Sequence, residues 1–116
     1  MNVISGEPAS GPAESEFPLG RRIAVFGKGG KTTLARALAN RFGLVFVELD
    51  AIRHLPDWQE RPDDEMREFT ASLLEGADPG WVVDGNYPAT RELILSRVET
   101  VIVLALPWRV MLWRTF

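Results

Sequence analysis

Four short apolar runs, RRIAVFG at 21–27, LVFVELD at 44–50, WVVDGNYP at 81–88 and TVIVLALP at 100–107, alternate with segments of helical period. That alternation is the strongest constraint on the fold. Parallel strands need long crossover connections, usually helical, so strand–helix–strand order implies a parallel sheet. In the first connection Leu34, Leu38 and Phe42 recur every four residues among alanines, and Gly43 sits where a helix C-cap would. The second is irregular from Ala51 to Arg61, broken by Pro56. A helix then starts near Pro62, with Asp63, Asp64 and Glu65 at its positive end. Met66, Phe69, Leu73 and Leu74 are expected along one buried face, and Gly76 ends the helix. A short third helix falls in ATRELILSR. The predicted strands lie near 22–26, 44–49, 81–84 and 100–105. The last is apolar on both faces, as a central parallel strand should be.

The ends read differently. MNVISGEPASGPAESEFPLG has too little apolar surface to offset the entropy of ordering, so residues 1–20 are expected to form a disordered tail before a single domain at 21–116. It lacks the basic and apolar regions of a secretion signal. PWRVMLWRTF predicts a helix with Pro107 in its first turn and no cap at its end. Trp108, Leu112, Trp113 and Phe116 are then left uncovered, which suggests a C-terminally truncated domain, with burial against the existing layers or self-association through that helix as alternatives.

Charge narrows the function classes. A net charge of −3 makes nucleic acid and membrane surfaces unlikely partners, because both demand a basic face. No apolar run approaches the ~20 residues that span a bilayer. The absence of cysteine excludes disulfides and thiolate metal sites and fits a cytoplasmic location, and one histidine excludes a multi-histidine centre.

The chemistry concentrates in FGKGGKTT, residues 26–33. A phosphate-binding loop (Walker A) reads Gly, any four residues, then Gly-Lys-Ser/Thr. Here only Lys28 and Gly29 separate Gly27 from Gly30-Lys31-Thr32. Such a loop works by aiming consecutive backbone N–H groups at phosphate oxygens where a helix begins. Gly27, Lys28, Gly29, Gly30, Lys31, Thr32 and Thr33 are the candidate nucleotide-binding residues. Lys31 would neutralise the β and γ phosphates, and the Thr32 hydroxyl would ligate magnesium. The alternative is a glycine-rich turn with Thr32 as an ordinary helix cap.

RIAVFGKGGKTTLARALANRFGLVFVELDAI, with WVVDGNY and TVIVLALPWRVMLWR, resembles the adenylate-kinase-like P-loop proteins often called DNA topology modulation proteins. The resemblance covers residues 21–116. It implies a P-loop NTPase three-layer sandwich whose four strands lie in the order 2-3-1-4. It also implies kinase activity with magnesium and ATP or GTP: a phosphotransferase moving a γ-phosphoryl group to a small acceptor that the sequence does not identify. The family loop normally reads Gly-x-x-Gly-Ser-Gly-Lys-Ser/Thr, so a Ser-Gly pair is missing between Gly30 and Lys31, and the arginine-bearing lid lies beyond this chain.

Residue by residue, the resemblance implies catalytic roles for Lys31 and Asp84. Thr32, Asp50 and Asp84 would hold magnesium, and Asp50, Arg53, Asn86 and Tyr87 would contact the acceptor. Asp50 and Asp84 end strands, at the edge where ligands of such sheets sit. Each has a plainer reading, Asp50 as a helix cap and Asp84 as a turn residue. Trp58 lines the acceptor cleft or simply covers the core. Arg109 and Arg114 are too few to form a lid. Because of the short loop, an inactive copy and a non-catalytic interaction module stay open as alternatives. So does a deviant partition-type ATPase, whose Lys-Gly-Gly loop GKGG is similar to.

Overall fold

Each of the four apolar runs forms a strand, and the four pair in parallel. The computed structural model describes residues 2–3, 18–27, 30–105 and 109–114. Along the chain these build β1 (Asn2–Val3), β2 (Arg22–Gly27), α1 (Lys31–Phe42), β3 (Val45–Glu48) and α2 (Leu49–Arg53). They continue as α3 (Asp63–Gly76), β4 (Trp81–Asp84), α4 (Pro88–Leu95), β5 (Thr100–Ala105) and β6 (Arg109–Arg114). One sheet results, in the order β1-β6-β5-β2-β4-β3. β2 pairs in parallel with β4 and β5, and β3 pairs in parallel with β4. Counted over the four expected strands alone, this is the order 2-3-1-4. The register sets Val25 and Glu48 beside Asp84, so all three reach the same C-terminal edge of the sheet.

Alternation along the strands divides the core between two faces. Ile23, Val25, Val82 and Ile102 pack with Ala35 and Ala39 of α1. Ala24, Val47, Trp81 and Val83 pack on the other side with Ile52, Met66, Leu74 and Ile94 from α2, α3 and α4. The protein is therefore an α/β structure with helices on both faces of a mostly parallel sheet. Ala35 and Ala39 are the fully buried residues of α1, with Leu34, Leu38 and Phe42 half-buried around them. Gly43 closes α1 in the left-handed conformation, and the Leu44 amide returns to the Ala39 carbonyl at 2.9 Å.

Four expectations need correction. α3 starts and ends where its acids and glycine predict, but its buried stripe is Met66, Thr70 and Leu74. Phe69 and Leu73 are 44% and 37% exposed, and Phe69 carries the Arg61 guanidinium over its ring at 4.5 Å. The four-residue step 66–70–74 follows the helix face more closely than the pairs 66–69 and 73–74. The stretch after β3 is not irregular throughout: Leu49–Arg53 is a short helix, so Asp50 lies in its first turn rather than at a strand end.

The C-terminal segment is not a helix. β6 pairs antiparallel with β5 from Ala105↔Arg109 to Thr100↔Arg114, which supplies partners for the far edge of β5. Leu112 is buried against the α1 face while Trp113 is 42% exposed, the two-residue alternation of a strand. The apolar helix proposed for self-association does not exist, and Arg114 belongs to this strand instead of a lid. The tail also contributes: Asn2–Val3 pairs with Leu112 and Met111 on the outer edge of β6, so it is not wholly disordered. Lys28, Gly29, Pro107, Trp108 and Phe116 lie outside the described residues. Among the described residues, no helix is long and apolar enough to cross a membrane.

Candidate functional site

β2 ends in a glycine for a steric reason. Gly27 has φ 120°, and a Cβ there would stand 2.2 Å from the Leu104 carbonyl oxygen of β5. Only glycine lets the chain leave the sheet so close to its neighbour. The chain re-enters regular structure at Gly30, the N-cap of α1, left-handed at φ 79° and making no side-chain cap hydrogen bond. The first bond of α1 runs from the Leu34 amide to the Gly30 carbonyl at 2.9 Å. The amides of Lys31, Thr32 and Thr33 thus have no partner within the helix. No acidic residue occupies that first turn, so its partial positive charge is not offset from within the helix.

Thr32 does not cap the helix. Its hydroxyl donates to Asp84 Oδ2 at 2.6 Å. Asp84, the last residue of β4, has a side chain only 2% exposed, and its Oδ1 lies 3.3 Å from the Lys31 ammonium. Among the described residues, Oδ1 receives no hydrogen bond of good geometry, so the contact with Lys31 is an ion pair held loosely. The Gly85 amide to the Val25 carbonyl, at 3.4 Å, ties the turn after Asp84 back to β2. Helix start and strand end thereby bring together the three residues to which the sequence assigns the most chemistry.

Three of the four acceptor candidates, Asp50, Arg53 and Tyr87, form a second cluster, while Asn86 pairs with Arg91. Tyr87, the N-cap of α4, donates its phenol hydrogen to Asp50 Oδ1 at 2.5 Å. Burial, then the hydrogen bond to Asp50 and its charge, push the Tyr87 phenol up to about 12. Arg53 Nη1 reaches Asp63 Oδ1 at 2.6 Å, its Nε lies 3.8 Å from Glu60, and its guanidinium sits over the Tyr87 ring at 5.5 Å. The hydrogen bond to Asp63 is the main reason Arg53 is held more firmly protonated than usual. Asn86 Oδ1 accepts from Arg91 Nε at 2.9 Å.

Of the expected magnesium ligands, Thr32 and Asp84 meet, while Asp50 bonds to Tyr87. No group of three His, Cys, Asp or Glu residues among the described residues is arranged to hold a metal. One carboxylate and one hydroxyl fit a magnesium ion that takes its remaining ligands from phosphate and water. Trp58 lines no cleft: it is fully exposed at the tip of a hairpin closed by the His54↔Glu60 bridge, where Asp57 and Trp58 both adopt positive φ. A shallow groove outside α3, lined by Arg61, Glu65, Phe69 and Leu73, shares no residue with either cluster. The sequence reading missed the Lys31–Asp84 and Arg53–Asp63 ion pairs and the Tyr87–Asp50 bond, because no periodicity or motif couples residues so far apart. No protein-family model matches this chain, and no curated protein sequence matches it either.

Proposed function

We propose that this chain is an adenylate-kinase-like P-loop protein that binds ATP or GTP with magnesium at the Lys31–Thr32–Asp84 cluster. The reaction is transfer of the γ-phosphoryl group to a small acceptor on the Asp50–Tyr87 side. The observation that carries the reading is the buried Asp84, which holds the hydroxyl of Thr32 and the ammonium of Lys31 beside an uncapped helix start. A hydroxyl that donates to a carboxylate keeps its oxygen lone pairs for a cation. Thr32 and Asp84 would hold magnesium, which would supply positive charge against the phosphates. Lys31 and the α1 amides would grip the phosphates, and Asp50, Arg53, Asn86 and Tyr87 would position the acceptor. Phosphoryl transfer asks for positioning and charge neutralisation, and no covalent intermediate with the protein.

The short loop is the weak part of this site. Two residues fewer shorten the contour by up to ~7 Å. Inserting Ser-Gly between Gly30 and Lys31 should tighten magnesium-ATP binding by about tenfold or more, because further charge-assisted hydrogen bonds become available. Lys31→Ala in the lengthened protein should remove the gain. Calorimetry and melting with magnesium-ATP test this, since a ligand bound only by the native state must raise the melting temperature. No stabilisation of either the parent or the lengthened protein would overturn the reading.

A further inference from the structure

Arg53 is the one cation of the second cluster, and its charge is already balanced. Its guanidinium is met from three elements: Asp63 of α3 at 2.6 Å, Glu60 of the hairpin at 3.8 Å, and the Tyr87 ring at 5.5 Å. Asp50 joins the group through the Tyr87 hydroxyl. Burial first, then Asp50 and Glu60 raise the Tyr87 phenol while Arg53 lowers it, so all three charges act on one ring. Three carboxylates against one guanidinium leave negative charge in excess. The neighbouring arginines are engaged elsewhere. Arg61 donates to the Ile52 carbonyl at 3.0 Å and covers Phe69 in the groove outside α3. Arg67 donates to the Ala89 carbonyl at 3.1 Å, in a groove along α4, and Arg91 donates to Asn86.

We propose that Glu60 and Asp63, by neutralising Arg53, set the specificity of the acceptor side: it takes a hydroxyl compound without a phosphate group and rejects phosphate monoesters. The inference rests on the phosphoryl-transfer reading for the existence of an acceptor, and on the ion pairs for its charge. A phosphate monoester brings about −1.5 to −2 charge at neutral pH and needs a cation with charge to spare. An alcohol brings none and needs an acceptor for its hydroxyl hydrogen. Asp50 supplies one, because Tyr87 holds Oδ1 and Oδ2 has no partner among the described residues. Glu60 and Asp63 act through Arg53 and need not touch the acceptor.

The test uses AMP as a phosphate monoester and adenosine as the same compound without phosphate, by calorimetry. The proteins are the parent, Arg53→Met, the double variant Glu60→Gln with Asp63→Asn, and the triple variant that adds Arg53→Met to the double. Glutamine and asparagine keep shape and polarity and remove only charge, and melting curves without ligand check that each variant folds. Low ionic strength is needed, because Glu60 and Asp63 are 60% and 66% exposed and salt screens charge there. AMP should bind the double variant at least about tenfold more tightly than the parent, because the guanidinium is released to form charge-assisted bonds with phosphate. Adenosine should change by less than about twofold, since it carries no charge for the guanidinium to read. The gain for AMP should vanish in the triple variant. AMP held at the start of α1 would bind all four proteins alike, so the differences report on the second cluster. If the parent binds AMP more tightly than adenosine and Arg53→Met removes that preference, Arg53 receives phosphate as it stands and the inference is overturned. It is equally overturned if the double variant gains nothing. Melting with magnesium-ATP on the same proteins is read separately. If none responds, the functional reading falls, while the AMP comparison still decides the charge that this cluster accepts.

Discussion

Replacing Thr32 by valine probes the site where its geometry is tightest. The substitution keeps the branched shape and removes only the hydroxyl that donates to Asp84 Oδ2 at 2.6 Å. A hydrogen bond to a charged group contributes about 1.5–3 kcal/mol, and leaving a buried acceptor unsatisfied costs a similar amount. Water cannot readily replace the hydroxyl, because the Asp84 side chain is 2% exposed. Lys31, 25% exposed and able to swing, offsets part of the loss. A net cost of about 2 kcal/mol follows. In a domain of this size each kcal/mol moves the melting temperature by about 4–8 °C, so the expected fall is roughly 8–16 °C.

Thr32→Ser keeps the donor and loses a methyl group, and its melting temperature should fall by less than half as much. In an Asp84→Asn background the acceptor is neutral, and the cost of valine should drop to about 1 kcal/mol. Melting followed by circular dichroism measures the parent and all four variants. If valine and serine at position 32 melt within about 2 °C of each other, the bond to Asp84 contributes little. The argument for a fixed, charge-assisted Thr32–Asp84 pair would then be wrong.

Tyr87 is the only tyrosine in the chain, so alkaline absorbance titration reports on it alone. Its midpoint should lie near 12, and Asp50→Asn should bring it down, while a native midpoint near 10 would refute the bond to Asp50. Because the folded value lies above the unfolded one, the stabilising contribution of Tyr87 is complete below pH 10 and is lost as pH rises toward 12. In β6, Leu112→Ala should cost about 2–4 kcal/mol because the side chain is 4% exposed, whereas Trp113→Ser should cost under about 1. Equal costs in denaturant melts would contradict the strand register.

The parallel sheet was legible because its signal is local: each strand is an apolar run, and each connection has a helical period or a helix cap of its own. Strand order was not in those runs and entered through the resemblance to a family. The C-terminal segment shows where local pattern stops being decisive. Leu112 and Trp113 satisfy a helical stripe with Trp108 and Phe116 three or four residues away, and they equally satisfy a strand that buries one and exposes the other. What selects the strand is the open edge of β5, a feature that exists only once the sheet has formed. The same holds for Asn2–Val3, whose composition says tail and whose pairing partner is β6 itself.

For the candidate site, the positions of Lys31, Thr32 and Asp84 in the fold were legible, the place of Asp50 was not, and neither were the pairings between side chains. Lys31 and Thr32 follow from the motif, and Asp84 from an acid at the end of an apolar strand. Reading roles one residue at a time leaves each side chain free to take its assigned ligand. The structure instead pairs them: Asp50 is bound by Tyr87, and Arg53 is held by Asp63 and flanked by Glu60 and the Tyr87 ring. Arg53 commits Nη1 to Asp63 and Asp50 commits Oδ1 to Tyr87, so in the proposed function each would serve a ligand with its remaining polar atoms. These pairings depend on how the hairpin after α2 lies against α3, which no short motif encodes. They shift the expected work of the second cluster from binding charge toward holding Asp50 in one orientation. One oxygen of that carboxylate is fixed by Tyr87, and in the proposed function the other would be presented to the acceptor.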